Sequence, residues 1–184
     1  KCDWSSDVCS SDLIYCSFVL LFVKSADVPG YYWRDFDGSI PVDAFPGGLD
    51  SHNKPIYIGK ALGDNIIVPA KIPFSGDTAY YEYGIEEHPV KNKVMILCTQ
   101  HPEQLVWIPT NNEELKKLTN VYIVNGGFEP GTSTYIGRVR HGGEVVVGKA
   151  LGDTSLNEGC HITQNGKVRR FSSFEVLSFQ PVQS

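Results

Sequence analysis

Tyr57-Ile58-Gly59-Lys60, followed by Lys71, and Tyr135-Ile136-Gly137-Arg138, followed by Lys149, are one pattern written twice. The offsets agree (135 − 57 = 78 and 149 − 71 = 78), and Gly47-Gly48 returns as Gly126-Gly127 with a one-residue slip. A unit of this length present twice is a duplicated structural unit whose copies pack on each other. A second identity competes with this register. Lys60-Ala61-Leu62-Gly63-Asp64 equals Lys149-Ala150-Leu151-Gly152-Asp153, but at an offset of 89 (149 − 60) and with no support on either side. It is read as coincidence, and the offset of 78 sets the comparison between the halves.

Working outward, the rest of the chain is short apolar or alternating runs broken by Gly, Pro, Asn and Asp, the pattern of strands and turns. Expected strands are 55–61, 65–69, 78–83 and 94–98 in the first copy, then 105–108 between the copies. The second copy offers 121–124, 134–140, 144–147, 160–163 and 174–179. Asp64-Asn65 and His141-Gly142-Gly143 sit at matching points as hairpin turns. Asn111-Asn112-Glu113-Glu114-Leu115-Lys116-Lys117-Leu118 is the one capped helical turn, an asparagine followed by acids and then lysines. Neither copy is large enough to close its own core, so the two share one β-sandwich or flattened barrel.

The net charge of −5 over 184 residues excludes a basic face for nucleic acid, and no lysine block suggests an anionic membrane surface. Eighteen glycines, eleven prolines and a single methionine suit a turn-rich β protein. Residues 1–12, with Asp3-Trp4-Ser5-Ser6-Asp7-Val8-Cys9-Ser10-Ser11-Asp12, resemble the in-frame translation of a sequencing adapter and are set aside from fold reasoning. The apolar run Leu13–Val23 is too short for a bilayer span but suits a truncated secretory signal over residues 13–25. Residues 26–184 then form a single secreted domain; the protein is cytoplasmic if that run is instead a strand of the fold. Without the leader, Cys98 and Cys160 remain, a pair whose geometry alone decides whether they bond.

The ordered set Trp33, Gly38-Ser39-Ile40-Pro41, Ala44, Gly47-Gly48-Leu49-Asp50, Pro55–Lys60, Pro69-Ala70-Lys71, Tyr83-Gly84, Glu87-His88 and Val94–Leu97 resembles the DM-nine repeat, the tandem repeat also found at the N-terminus of natterins. The second copy keeps Trp107, Gly126-Gly127, Tyr135–Arg138, Gly148-Lys149, Cys160, Gly166 and Phe174-Glu175-Val176-Leu177. The copies run over about residues 31–98 and 105–179. The resemblance implies an all-β fold of two intertwined repeats in a pseudo-twofold β-sandwich, and a mannose-binding lectin of innate recognition. It implies sugar contacts at Asp50 and Lys71, and at Glu129 and Lys149 in the second copy. The pore-forming module of natterins is not in this sequence, so no membrane insertion is expected.

The chemistry suits a sugar. A carboxylate accepts from two vicinal hydroxyls at once, and an ammonium donates to a third oxygen. Trp33, Tyr81 and Tyr83 are the candidate aromatic faces. Asp50 is also read as a plain turn acid, Lys71 as a solvated strand lysine, and the tryptophans as core. Ala70 stands where the family has glycine, so its methyl group is expected to crowd a ligand. The five histidines show no metal-ligand spacing, and Glu86-Glu87-His88 reads as a solvated turn. Cys160 and His161, as strand neighbours, face opposite ways. No enzyme, cofactor or metal is expected. The rival reading is a secreted structural or protein-interaction module that kept the fold and lost the sugar. Single-sugar binding should be weak, so useful avidity requires two sites or a homodimer.

Overall fold

The computed structural model describes residues 30–152 and 158–181. The adapter-like and signal-like segments lie outside these residues.

Repeat 1 contains β1 (Tyr31–Asp35), β2 (Pro46–Leu49), β3 (Pro55–Leu62), β4 (Ile67–Pro73), β5 (Ala79–Tyr83), β6 (Glu86–Val90) and β7 (Val94–Thr99). Repeat 2 follows with β8 (Leu105–Asn111), the helical turn α1 (Asn112–Leu115), β9 (Tyr122–Ile123), β10 (Asn125–Glu129), β11 (Thr132–His141), β12 (Glu144–Leu151), β13 (Gly159–Gln164), β14 (Lys167–Phe171) and β15 (Ser173–Phe179). Asn111 caps α1 as expected, its side-chain oxygen accepting from the amides of Glu113 and Glu114, both at 3.0 Å.

Within repeat 1 the pairings run β1–β7–β3–β4–β5–β6; within repeat 2 they run β8–β15–β11–β12–β13–β14. The remaining strands tie the two together. β2 pairs with its own β3 and with β12 of the other repeat, while β10 pairs with its own β11 and with β4. The ring β3–β2–β12–β11–β10–β4 therefore closes on itself, and the repeats are intertwined about a pseudo-twofold axis. Register proves the offset of 78: Ile58 faces Lys71 and Gly59 faces Ala70, just as Ile136 faces Lys149 and Gly137 faces Gly148.

The doubled glycines make the exchange of strands possible. Each lies at a bulge, between Pro46 and Gly48 and between Asn125 and Gly127. A Cβ on Gly48 would stand 1.9 Å from the Val145 carbonyl oxygen, and one on Gly127 would stand 1.9 Å from that of Ile67. Only a residue without a side chain lets the crossing strand approach so closely.

Among the described residues three apolar clusters fill the interior. One is built from repeat 1 (Val68, Ala70, Ile72, Ile96), and one from repeat 2 (Val146, Ile162, Val176). The third mixes both, with Ile58, Leu97, Ile136, Val147 and Leu177 meeting near the axis. Cys98 and Cys160 fall in different clusters and are free thiols. Burial pushes the Cys98 thiol up to about 12 and that of Cys160 higher still, so neither is a nucleophile at neutral pH.

The expected strands differ from the observed ones in instructive ways. β4 and β12 continue past Pro69 and Gly148, which read as breakers; β2, β6, β10 and β14 carry too few apolar side chains to announce themselves, and β1, three aromatics in a row before Arg34 and Asp35, lacks the alternation of a half-buried strand. Pro69 and Gly148 are tolerated because tertiary pairing, not local propensity, holds these strands.

Candidate functional site: two lysines related by the twofold

Lys71 on β4 and Lys149 on β12 point from equivalent positions toward the junction of the repeats. Each ammonium donates to a backbone carbonyl of the opposite repeat, Lys71 to Thr163 and Lys149 to Glu82 (3.4 Å). Those acceptors are themselves equivalent, since Lys71 is in register with Tyr80 and Lys149 with His161. The backbone frame is thus the same twice. The side chains around it are not.

Around Lys149 the space is closed. Its ammonium lies 2.5 Å from Glu82 Oε2 and forms a second ion pair with Glu129 Oε1. The side chains of Lys149 and Glu82 are only 3% and 5% exposed. His161 Nδ1 stands 3.6 Å from the same Glu82 oxygen. The other oxygen, Oε1, accepts from the Ile85 amide at 3.0 Å. Glu129 and Lys149, named from the sequence as a second sugar pair, are here bound to each other. Such a buried pair persists only because each charge finds its opposite on the spot.

Around Lys71 one side opens on a cleft, although its side chain is only 14% exposed and that of Glu87 11%. Asp50, Lys71, Phe74, Glu144, Gln164 and Asn165 line a cleft of about 170 Å³. Asp50 and Lys71 do share this site, but they are not an ion pair. The ammonium of Lys71 is held instead by Glu87 Oε1 at 3.0 Å, and the Tyr80 ring centroid lies 5.6 Å from it. Glu87 Oε2 accepts from the Gly166 amide at 2.8 Å, clasping β6 to the β13–β14 turn. Burial pushes the Glu87 carboxyl up, but hydrogen bonds from Thr163 and Lys71, the Lys71 charge and the Gly166 amide outweigh it and hold the group below the usual carboxylate range.

Asp50 closes a turn. Its Oδ1 accepts from the amides of His52 and Lys54, both at 2.8 Å, and the Lys54 bond, offset slightly by partial desolvation, leads in lowering its carboxyl. Both bonds fall on one oxygen. Among the described residues Oδ2 receives no donor, so half of the carboxylate is available to a ligand.

The other residues named from the sequence lie elsewhere. Trp33 flanks the mixed cluster, its ring under the Lys60 ammonium at 4.2 Å. Tyr81 stacks on His88 (centroids 5.1 Å, 26° between planes), and His88 Nε2 bonds the Tyr83 carbonyl. Tyr83 is exposed and, at the end of its hairpin, takes the place that Gln164 takes in repeat 2, hence on the Lys149 side. The aromatic of the open cleft is Phe74, half exposed, with the Lys54 ammonium 5.7 Å from its ring. The Ala70 methyl is buried in the repeat 1 cluster, on the face opposite Lys71, and does not crowd the cleft. Its counterpart Gly148 has no such room, because a Cβ there would meet the His161 carbonyl oxygen at 2.1 Å. Among the described residues no group of three or more His, Cys, Asp or Glu is placed to hold a metal ion.

The DM9 repeat family model matches residues 12–90 and 50–155. The chain belongs to the DM9 repeat family. Among solved structures, that of the nematode sperm cell motility protein MFP2B is similar, with a TM-score of 0.61 at 16% identity over 86% of this chain. The match takes in 49% of that protein, so the DM9 chain spans about half its length. At that identity the likeness shows the fold. No curated relative matches the chain.

Proposed function

We propose that this DM9 protein is a non-catalytic, mannose-type carbohydrate-binding protein whose working site is the Asp50–Lys71 cleft. The observation that carries the reading is the half-used carboxylate of Asp50 sharing one open cleft with an ammonium already fixed in position by Glu87 and the Thr163 carbonyl. Asp50 Oδ2 accepts from a sugar hydroxyl, and the remaining N–H of Lys71 donates to a neighbouring oxygen. The ring edge of Phe74 meets the apolar side of the pyranose. Because both charged groups are held before the sugar arrives, little side-chain ordering is left for binding to offset.

The cleft admits a single sugar ring. Affinity for free mannose is then on the order of millimolar, and retention on a glycan surface depends on multivalency through a homodimer or a second site. Recognition of mannan-bearing microbes is the role that fits, with export directed by the apolar run Leu13–Val23. The fold alone does not argue for sugar, since a sperm cell motility protein shares it.

The test is retention on mannan-agarose with elution by free mannose. Wild type and Lys149→Met are expected to be held. Asp50→Asn, which preserves the turn acceptor, and Lys71→Met are expected to flow through while keeping the wild-type circular dichroism spectrum. Equal retention of all four would remove the cleft from the account, and flow-through of the wild type would favour the protein-interaction reading.

A further inference from the structure

The twofold relates a second pair of cations, neither of which lines the cleft. In repeat 2 the Arg138 guanidinium lies 4.2 Å from the Trp107 ring centroid. Glu175, its register partner on β15, grips it through Nε–Oε2 at 2.8 Å and Nη2–Oε1 at 3.1 Å. In repeat 1 the Lys60 ammonium lies at the same 4.2 Å from the Trp33 ring. The position that Glu175 fills is here Met95, the register partner of Lys60 on β7. One copy therefore shows the completed arrangement of aromatic face, cation and carboxylate. The other keeps the face and the cation and lacks the carboxylate.

What surrounds Lys60 makes that gap consequential. It is half-buried, and among the described residues no acid lies within ion-pair distance of it. The nearest candidate on its row is Asp35 on β1, the register partner of Met95 from the other side, and so two strands, roughly 10 Å, away. Burial without a counter-charge brings the Lys60 amine down to about 8. The tryptophan face recovers only part of the lost hydration of an ammonium.

We propose that Lys60, seated on Trp33 beside Met95, is a binding site for the carboxylate of a small acidic ligand, which takes the place that Glu175 takes in repeat 2. The ligand approaches over the flexible thioether of Met95, and its two oxygens meet the ammonium from the side away from the ring. A uronic acid, with a carboxylate on a sugar ring, and a simple carboxylic acid share this chemistry. The site is separate from the Asp50–Lys71 cleft and independent of the mannose reading.

The experiment follows the ε-CH2 resonance of Lys60 in the lysine-labelled protein across pH, at constant ionic strength, with glucuronate, glucose, acetate or chloride. Lys60→Met assigns the signal. Glucuronate is expected to raise the Lys60 titration by about one pKa unit or more, since an opposite charge within a few ångströms favours the charged form, and glucose and chloride are expected to leave it unchanged. An equal rise with acetate assigns the site to carboxylates at large; a rise with glucuronate alone assigns it to acidic sugars. Met95→Glu is expected to raise the titration with no ligand present and to abolish the response. The proposal is overturned if neither carboxylate moves the titration, if chloride moves it equally, or if Asp35→Asn lowers it in the ligand-free protein, which would make Asp35 the partner already in place. Mannan retention of Lys60→Met is expected to match wild type, so failure of either site is read without reference to the other.

Discussion

Lys71 and Lys149 occupy one backbone position twice, yet one lies in an open cleft and the other in a closed salt-bridge cluster. The difference comes from the side chains that the opposite hairpins contribute. Repeat 1 sends Glu82 into the Lys149 site, where the equivalent strand of repeat 2 has only Thr163 to send toward Lys71. The acid after the doubled glycine completes the contrast. Glu129 is long enough to reach its lysine, whereas Asp50, one methylene shorter, spends its Oδ1 on its own turn. On the proposed function, a duplicated unit has divided its labour, with one copy used for cohesion and the other for ligand.

If that division is real, the lysines differ in what their removal costs. Lys149→Met leaves Glu82 and Glu129 facing each other without a cation, and removing one partner of a buried ion pair costs about 3–5 kcal/mol. Lys71→Met also removes one partner of a largely buried pair, but Glu87 keeps the donors from Thr163 and Gly166, so its loss should be smaller, about 1.5–3 kcal/mol, the scale of a hydrogen bond to a charged group. Urea unfolding at neutral pH measures both, and equal losses would dissolve the contrast. The triple replacement Lys149→Met, Glu82→Gln, Glu129→Gln should regain most of the stability lost in the single variant.

The neighbouring positions sharpen the same comparison at a smaller scale. Gly148→Ala drives a methyl group into the His161 carbonyl and must push β12 from β13, an overpacking cost of about 1–3 kcal/mol. Ala70→Gly deletes a buried methyl group and loosens β4, for about 1 kcal/mol. The exchange is therefore asymmetric, a steric clash at Gly148 against a lost methyl contact at Ala70. Thermal melts of the two variants test this, and a neutral Gly148→Ala would mean that β13 shifts more freely than its buried register suggests.

The repeat and its register were legible because Tyr-Ile-Gly and the downstream lysine are fixed by a strand pair that recurs unchanged. Most central strands were legible too, since Pro55–Leu62 and Thr132–His141 alternate visibly. The linking strands β2 and β10 were not, because glycines carry no side-chain pattern and their reason for being glycine is a backbone 60 to 97 residues away in the chain (127 − 67 = 60 for Gly127, 145 − 48 = 97 for Gly48). The site was half legible. Asp50 and Lys71 could be named from the resemblance, but Glu87 read as a solvated turn and Phe74 gave no signal. One partner of each lysine comes from the opposite repeat, at separations of 67 and 92 residues, which local pattern cannot report.

The smallest expected effect is an acid limb confined to the open site. The carboxyls of Glu87 and Asp50 are both held below their ordinary values in the folded protein. A group depressed by folding contributes stability that is fully present above its unfolded pKa, about 4 for these acids, and is lost as pH falls through the folded value. Stability should therefore be flat from pH 7 to about pH 5 as far as these two groups are concerned, and decline below that. Glu87→Gln removes one of the two contributions and should make the urea midpoint fall less steeply between pH 5 and pH 3, with little change at pH 7 beyond the weakened Lys71 contact. Mannan retention should follow a different group. Protonating Asp50 replaces the Oδ2 acceptor with a hydroxyl, so the wild type should release mannan in the same acid range in which Glu87→Gln, if still folded, also releases it. Release that tracks Glu87 instead would make the positioning of Lys71, rather than acceptance by Asp50, the step that acid breaks.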